Sequence, residues 1–179
     1  LVKVQQQMHH NEGFAKSPTV RGNLMWKDGR DSEVVWVPNE GGKWEISQHP
    51  SDQDRNKYVL RDGKRHPVGD ANVSGTDPFD HRFTTDNRKS DAASLMFRRF
   101  NPMDPDKSNV FISMYLNRPP TPEIFYEDMI LESVYFSAMK LVENNKPGMI
   151  NYFRQRGYDG YLMDRPGATV VDQGPRKSP

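Results

Sequence analysis

From Ala71 onward the chain is built of short apolar runs separated by turns, a pattern that predicts strands before it predicts helix. Residues 72–76, 94–100 and 110–116 are bounded by Gly-, Pro-, Asp- and Asn-containing stretches and read as three successive strands of a meander. The compact Asn101-Pro102-Met103-Asp104-Pro105-Asp106 segment suits a tight link between antiparallel neighbours. Thr121-Pro122-Glu123 then offers an N-cap hydroxyl, a proline at the first helical position and an acid in the first turn. The helix it opens runs to about residue 138. It carries Phe125, Met129, Ile130, Val134, Phe136 and Ala138 over much of its circumference, so it is expected against a sheet rather than in solvent.

Residues 139–143 follow as a fourth strand. A meander, a helix and a further strand make a crossover, and the handedness rule favours a new strand parallel to a neighbour in the same sheet, with the first strand the natural choice. A second helix is expected from Asn144 to residue 155 or 156, stopped by Gly157, and residues 161–163 read as one more short strand. Beyond Asp164 the chain lacks hydrophobic pattern.

Residues 1–70 are less regular. Val34-Val35-Trp36-Val37-Pro38 and Lys43-Trp44-Glu45-Ile46-Ser47, separated by Asn39-Glu40-Gly41-Gly42, predict a β-hairpin, with Trp26, Trp36 and Trp44 as its packing. Arg61-Asp62-Gly63-Lys64 is a further turn, and residues 48–65 show no core pattern. The predicted organisation is a connector with a small β element over 1–70, an α/β core with a mixed sheet and flanking helices over 71–164, and a flexible tail over 165–179.

Composition narrows this picture in two places. The 179 residues contain no cysteine, which excludes disulfides, thiolate zinc sites and thiol catalysis and fits a reducing compartment. With 25 basic and 24 acidic residues the net charge is +1, so nucleic-acid binding needs a local patch rather than a global field. No signal peptide is recognisable and no apolar run nears the roughly 18 residues that span a bilayer, so a soluble protein with no membrane partner is expected. The mean hydropathy of −0.90, with 14 Pro and 13 Gly, assigns much of the chain to loop and surface. Because it opens at Leu1, the chain is expected to be a piece of a longer protein.

Candidate chemistry lies at two strand ends. Asp77 closes the first strand in Val73-Ser74-Gly75-Thr76-Asp77-Pro78, and Glu143 closes the fourth in Met139-Lys140-Leu141-Val142-Glu143. A run that ends in a carboxylate before a Pro or Gly turn aims the acid at the rim of the sheet, where ligand sites in α/β folds gather. Adjacent parallel strands lie about 4.8 Å apart, so the two acids can share one divalent cation or a pair. Each also has an ordinary alternative, Asp77 as a turn former before Pro78 and Glu143 as a cap for the next helix.

The ordered set Thr76-Asp77-Pro78-Phe79-Asp80, Asn117-Arg118-Pro119, Phe125-Tyr126-Glu127-Asp128 and Val142-Glu143-Asn144-Asn145-Lys146-Pro147-Gly148, continued by Gly157-Tyr158-Asp159, resembles the C-terminal nuclease domain of tailed-phage terminase large subunits. The resemblance covers roughly residues 20–165. It implies an RNase H-like fold that cuts concatemeric DNA during genome packaging in the bacterial host cytoplasm, with two Mg²⁺ or Mn²⁺ ions held by acidic residues. Asp77 matches the family's first acid and Glu143 its second. Asp77 would bridge the ions and Glu143 would hold one, with Asp80 as an outer-sphere ligand. Asp86 and Asp91 are weaker candidates for that role, and Asp164 and Asp172 are candidates for the third acid by position only.

The resemblance further implies double-stranded DNA, an ATPase motor domain, a small terminase subunit and a portal as partners. No Gly-x-x-x-x-Gly-Lys-Ser/Thr phosphate loop occurs here, so the motor is expected outside this chain. Lys146, Arg118 and Arg154 are the candidate DNA-binding residues, and Arg82, Arg88, Arg98, Arg99 and Arg156 could extend a backbone-binding surface. His9, His10 and His81 lack spaced partners for a zinc site. Two other readings stay open: a non-catalytic module of the same fold that binds DNA or a packaging partner, and another RNase H-like enzyme such as a junction resolvase.

Overall fold

The computed structural model describes residues 19–79, 91–143 and 147–163. Among these residues nine strands form: β1 (Val20–Trp26), β2 (Val34–Pro38), β3 (Trp44–Ile46), β4 (Tyr58–Arg61), β5 (Lys64–Pro67), β6 (Asn72–Asp77), β7 (Ala92–Arg98), β8 (Val110–Asn117) and β9 (Met139–Val142). Helix α1 (Pro122–Phe136) joins β8 to β9, α2 (Gly148–Gln155) follows, and a 3₁₀ turn spans Asp159–Tyr161. Seven strands form one mixed sheet in the order β2-β1-β3-β8-β7-β6-β9, and β4 and β5 form a separate hairpin. The protein is therefore α/β with a mixed sheet and helices, and among the described residues no helix is long and apolar enough to cross a membrane.

The meander and crossover form as the sequence pattern predicts. β6, β7 and β8 are antiparallel neighbours, and β9 returns through α1 to pair in parallel with β6, Val73 opposite Met139 and Thr76 opposite Val142. Pro122 stands at the start of α1 and Glu123 in its first turn, whereas the Thr121 hydroxyl makes no capping bond. The helix ends at Ser137 in the left-handed conformation (φ 47°), which turns the chain into β9 within two residues. That conformation is costly for a residue with a Cβ. Two bonds hold it: Ser137 Oγ accepts from the Val68 amide at 3.1 Å and donates to the Lys57 carbonyl at 2.7 Å.

The expected hairpin of β2 with β3 does not form. β1, which falls within the irregular region expected as a connector, lies between them and pairs antiparallel with both. Pro38 and Trp44 both oppose Gly22, so the chain leaves β2, crosses β1 at Gly22 and begins β3 on its other side. A Cβ at Gly42 would lie 2.3 Å from the Gly22 carbonyl oxygen, and one at Gly22 would lie 2.5 Å from both the Trp36 ring and the Val37 carbonyl. The Gly41-Gly42 pair thus serves a backbone crossing rather than a hairpin turn. The main sheet accordingly runs across the boundary expected at residue 70. The β4–β5 hairpin also escaped notice beyond its turn, where Asp62 and Gly63 both take positive φ, because its strands carry few apolar residues.

One face of the sheet is covered by α1. Trp44, Ile46, Met96 and Tyr115 are fully buried with Phe125, Met129, Ile130 and Phe136 of the helix. Burial of each such side chain contributes about 1.5–3 kcal/mol. α2 packs on α1, with the Tyr152 ring 5.7 Å from that of Tyr126, and buries Met149 and Phe153. Gly157 closes α2 at φ 73°, its amide bonded to the Arg154 carbonyl and that of Tyr158 to the Phe153 carbonyl, a Schellman ending. The opposite face of the sheet presents Leu95, Phe111, Met114, Leu116 and Leu141, all partly exposed.

The α1-covered face also contains charge. Lys140 of β9 and Glu132 of α1 are both fully buried, with Nζ 2.6 Å from Oε2. Nζ also donates to Ser74 Oγ at 2.8 Å and lies 3.2 Å from Thr76 Oγ1, and Ser94 Oγ donates to the same Glu132 oxygen at 2.6 Å. Removing either ion from water costs several kcal/mol, which only a well-bonded pair offsets. Burial pushes the Lys140 ammonium below its ordinary pKa, and the Glu132 carboxylate opposes that shift.

The crossing at Gly22 is open to test by substitution. Gly42→Ala should lower the unfolding free energy by about 1–3 kcal/mol, the usual cost of overpacking. Gly41→Ala, whose new Cβ would meet only the Asn39 side-chain oxygen at 3.5 Å, should stay within about 0.5 kcal/mol of the parent in urea denaturation.

Candidate active site

Side chains on a strand alternate between the two faces, and this alternation divides β6 and β9 into two sets. Asn72, Ser74 and Thr76 of β6 and Lys140 of β9 are buried toward α1. Gly75 and Leu141 occupy the other parity and are exposed, and one step further along each strand come Asp77 and Glu143, also exposed. The parallel register sets Thr76 opposite Val142, and the Glu143 amide donates to the Thr76 carbonyl at 3.0 Å. The two carboxylates, distant in the chain, therefore stand at the ends of neighbouring strands about 4.8 Å apart, and they share one face.

Both acids line a cavity of about 1080 Å³ on that face. Its floor includes Val73, Gly75, Ala93, Leu95 and Phe97, and Ile150 and Arg154 of α2 contribute to its wall. Ile150 and Arg154 are one helical turn apart, so the surface of α2 that turns from Met149 and Phe153 meets the cavity. Arg154 thus lines the same cavity as the acid pair.

The other candidates are distributed differently. The Arg118 guanidinium sits over the Phe79 ring, 4.7 Å from its centroid, and Phe79 packs on Phe125 of α1. Arg118 therefore lies at the same rim of the sheet but on the helical side, since β6 and β8 run in the same direction. Asp80, Asp86, Lys146, Asp164 and Asp172 lie outside the described residues, as do Arg82, Arg88 and all three histidines named above. Asp91 is exposed and does not line the cavity, and Arg99 pairs with Asp70 at 2.9 Å. Among the described residues no group of three or more His, Asp or Glu side chains converges on one point. Two oxygen donors on one face suit a hard divalent cation, which accepts carboxylates and retains water for its remaining positions.

Arg156 does not join this surface. Its guanidinium binds Asp31 through two bonds at 2.9 and 3.2 Å and Glu127 through bonds of 3.2 and 3.3 Å. Glu127 also accepts from Trp26 Nε1 at 2.9 Å and from the Tyr152 hydroxyl at 2.8 Å, and Asp31 accepts from the Tyr158 hydroxyl at 2.9 Å. Burial works against ionisation of Asp31 and Glu127, but these hydrogen bonds and the Arg156 charge outweigh it and hold both carboxyls below their ordinary values. The neighbouring Asp128 takes Lys43 Nζ at 2.8 Å on each of its oxygens and the Tyr115 hydroxyl at 2.9 Å. The Phe125-Tyr126-Glu127-Asp128 motif is therefore occupied in tying α1 to the sheet, to α2 and to the β1–β2 connection.

Asp159 was missed as a site residue. It lines the same cavity as Asp77 and Glu143, and its carboxylate is bound to Lys64 Nζ at 2.6 Å. No periodicity marks it, because it opens a single 3₁₀ turn whose position is set by the tight packing of Gly160 on Arg65 and His66. The buried charge of Lys140 did leave a signal: it differs in parity from Glu143, so a rim-facing Glu143 forces Lys140 toward the helix. No protein-family model matches this chain, and no solved structure matches it.

The Arg156 cluster has a pH signature. Because both folded carboxyl values are depressed, the stability it contributes is complete above the ordinary carboxylate range and is lost as pH falls through the folded values. Arg156→Met should cost about 2 kcal/mol at pH 7. It should also flatten the decline of stability that the parent is expected to show as pH falls from about 5 to about 3, checked by urea unfolding across that range.

Proposed function

We propose that this chain carries a metal-dependent DNA endonuclease centre, of the kind implied by its resemblance to the terminase large-subunit nuclease domain. The observation that carries the reading is the adjacency of Asp77 and Glu143, two acids from distant segments at the ends of parallel neighbours and on one face. The β8-β7-β6-β9 unit, an antiparallel meander extended by a parallel strand through a helix, is compatible with an RNase H-like core, and that fold assignment forms part of the proposal.

Electrostatics favours a cation-assisted reaction over direct phosphate binding. Asp77 and Glu143 line the cavity with Arg154, while Asp159 is paired with Lys64, so a DNA phosphate approaching the two strand-end carboxylates would be aided by cations held between them. Mg²⁺ or Mn²⁺ at such a pair would supply a Lewis acid and an activated water for in-line phosphodiester hydrolysis. In this reading Asp77 and Glu143 supply the oxygen ligands and orient them from rigid strand ends. Arg154 draws the phosphate backbone toward the acids from the facing helix, as a positioning contact without sequence preference. The ATPase motor, small subunit and portal belong to the same proposal as partners of a packaging nuclease.

Cleavage of supercoiled plasmid in Mn²⁺ tests it. The parent should nick and linearise the plasmid. Asp77→Asn and Glu143→Gln should each reduce the rate at least about 100-fold, the scale on which loss of one charge-stabilising group acts. Equal activity in parent and variants, or DNA binding without cleavage in all of them, would defeat the catalytic reading and leave a binding module. Cutting of four-way junctions far ahead of linear duplex would shift the assignment to a resolvase.

A further inference from the structure

The two faces of the β6–β9 pair carry different chemistry, joined through the backbone. On the α1 side, Lys140 reaches from β9 to Ser74 and Thr76 of β6 and to Glu132 of α1, with every partner buried. On the cavity side, Asp77 directly follows Thr76, and Glu143 lies three residues beyond Lys140. Among the described residues β9 is a short edge strand of the sheet, joined laterally to β6 and, on its other side, only to residues 162–163 through the Lys140–Leu162 bridge and the Met163 amide bond to the Lys140 carbonyl at 2.9 Å. Backbone bonds of a short edge strand resist fraying and slippage weakly. A slip of one residue would send Glu143 to the opposite face from Asp77. It would also strand a buried ammonium away from its carboxylate, so the register that unites the acids is the one that satisfies Lys140.

We infer that Lys140, with Glu132, is a positioning residue for the acid pair: its buried bonds lock β9 to β6 in the register that brings Glu143 beside Asp77. This inference rests on the metal-centre reading for its functional consequence, but its structural content can be measured without a metal. The informative variant is Glu132→Leu with Lys140→Met, which removes both charges together and so avoids leaving one buried alone. Ser74→Ala, which deletes the shorter of the two Lys140–β6 bonds and leaves the one to Thr76, is the milder companion should the double variant fail to fold.

Two readouts separate the outcomes. Hydrogen exchange of the Glu143 amide, whose acceptor is the Thr76 carbonyl, reports the β6–β9 end directly. It should quicken about tenfold or more in the double variant, and about threefold in Ser74→Ala, relative to the amides of β7. Titration with Mn²⁺ alone should show at least a tenfold weaker dissociation constant in the double variant. Glu143 exchange that follows the β7 amides would overturn the inference, because Lys140 would then contribute to overall stability only. Quickened exchange with parent-like Mn²⁺ affinity would overturn it too, because the strand end would matter nothing to the acids. If parent and Asp77→Asn bind Mn²⁺ equally, it is the metal-centre reading that fails, and the exchange data still decide whether Lys140 sets the register.

Discussion

Parallel pairing of β9 with β6 is the constraint on which the remaining architecture depends. Parallel neighbours cannot be joined by a tight turn, so the chain must travel the length of the sheet and return, and α1 is the element that does so. The return sets the C-terminal ends of two strands side by side. It also places α1 over the sheet, where it buries the aromatic and aliphatic interior. The hydrogen bond from the Glu143 amide to the Thr76 carbonyl extends this pairing to the edge of the sheet, where the candidate acids stand.

The interior beneath that edge is unusually polar. Lys140, Glu132, Ser74, Thr76 and Ser94 form a buried bonded group between the sheet and α1, and Asp128 with Tyr115 and the partly exposed Lys43 forms a second bonded group one turn nearer the start of the helix. Apolar residues in these positions would also fill the space, and replacing a buried ion pair in this way is often neutral or stabilising. A buried pair does differ in one respect: only one register satisfies it. In this chain the register concerned is that of the strand ends bearing Asp77 and Glu143.

Particular elements show where sequence reasoning succeeds. The meander, the crossover helix and its parallel strand were legible because each has a local signature: alternating short runs, a proline-marked helix start, an apolar run ended by an acid. The β2–β3 hairpin was misread because Gly41-Gly42 between two strand-like runs is the usual mark of a tight turn, and nothing local says that a third strand passes between them. β1 itself was passed over, since Gly22 and Asn23 interrupt its apolar pattern. Both residues serve the crossing, Gly22 by leaving room for Gly42 and Asn23 by accepting the Lys43 amide at 3.1 Å. Arg156 looked like a member of a basic surface but is consumed by Asp31 and Glu127, acids from a loop and a helix far away in the chain.

By itself, the sequence determined the three meander strands, the crossover helix and the returning strand that carry the acids, because short apolar runs and helix-start chemistry act over a few neighbouring positions. Asp77 and Glu143 as strand-end carboxylates are therefore legible in the sequence. Tertiary structure alone decided their register against each other, the arrival of Asp159 and Arg154 at the same cavity, and the diversion of Arg118 and Arg156 elsewhere. Those outcomes depend on contacts between segments separated by many residues, and a side chain's partners across such distances are chosen by packing and by the satisfaction of buried charge, neither of which local pattern records.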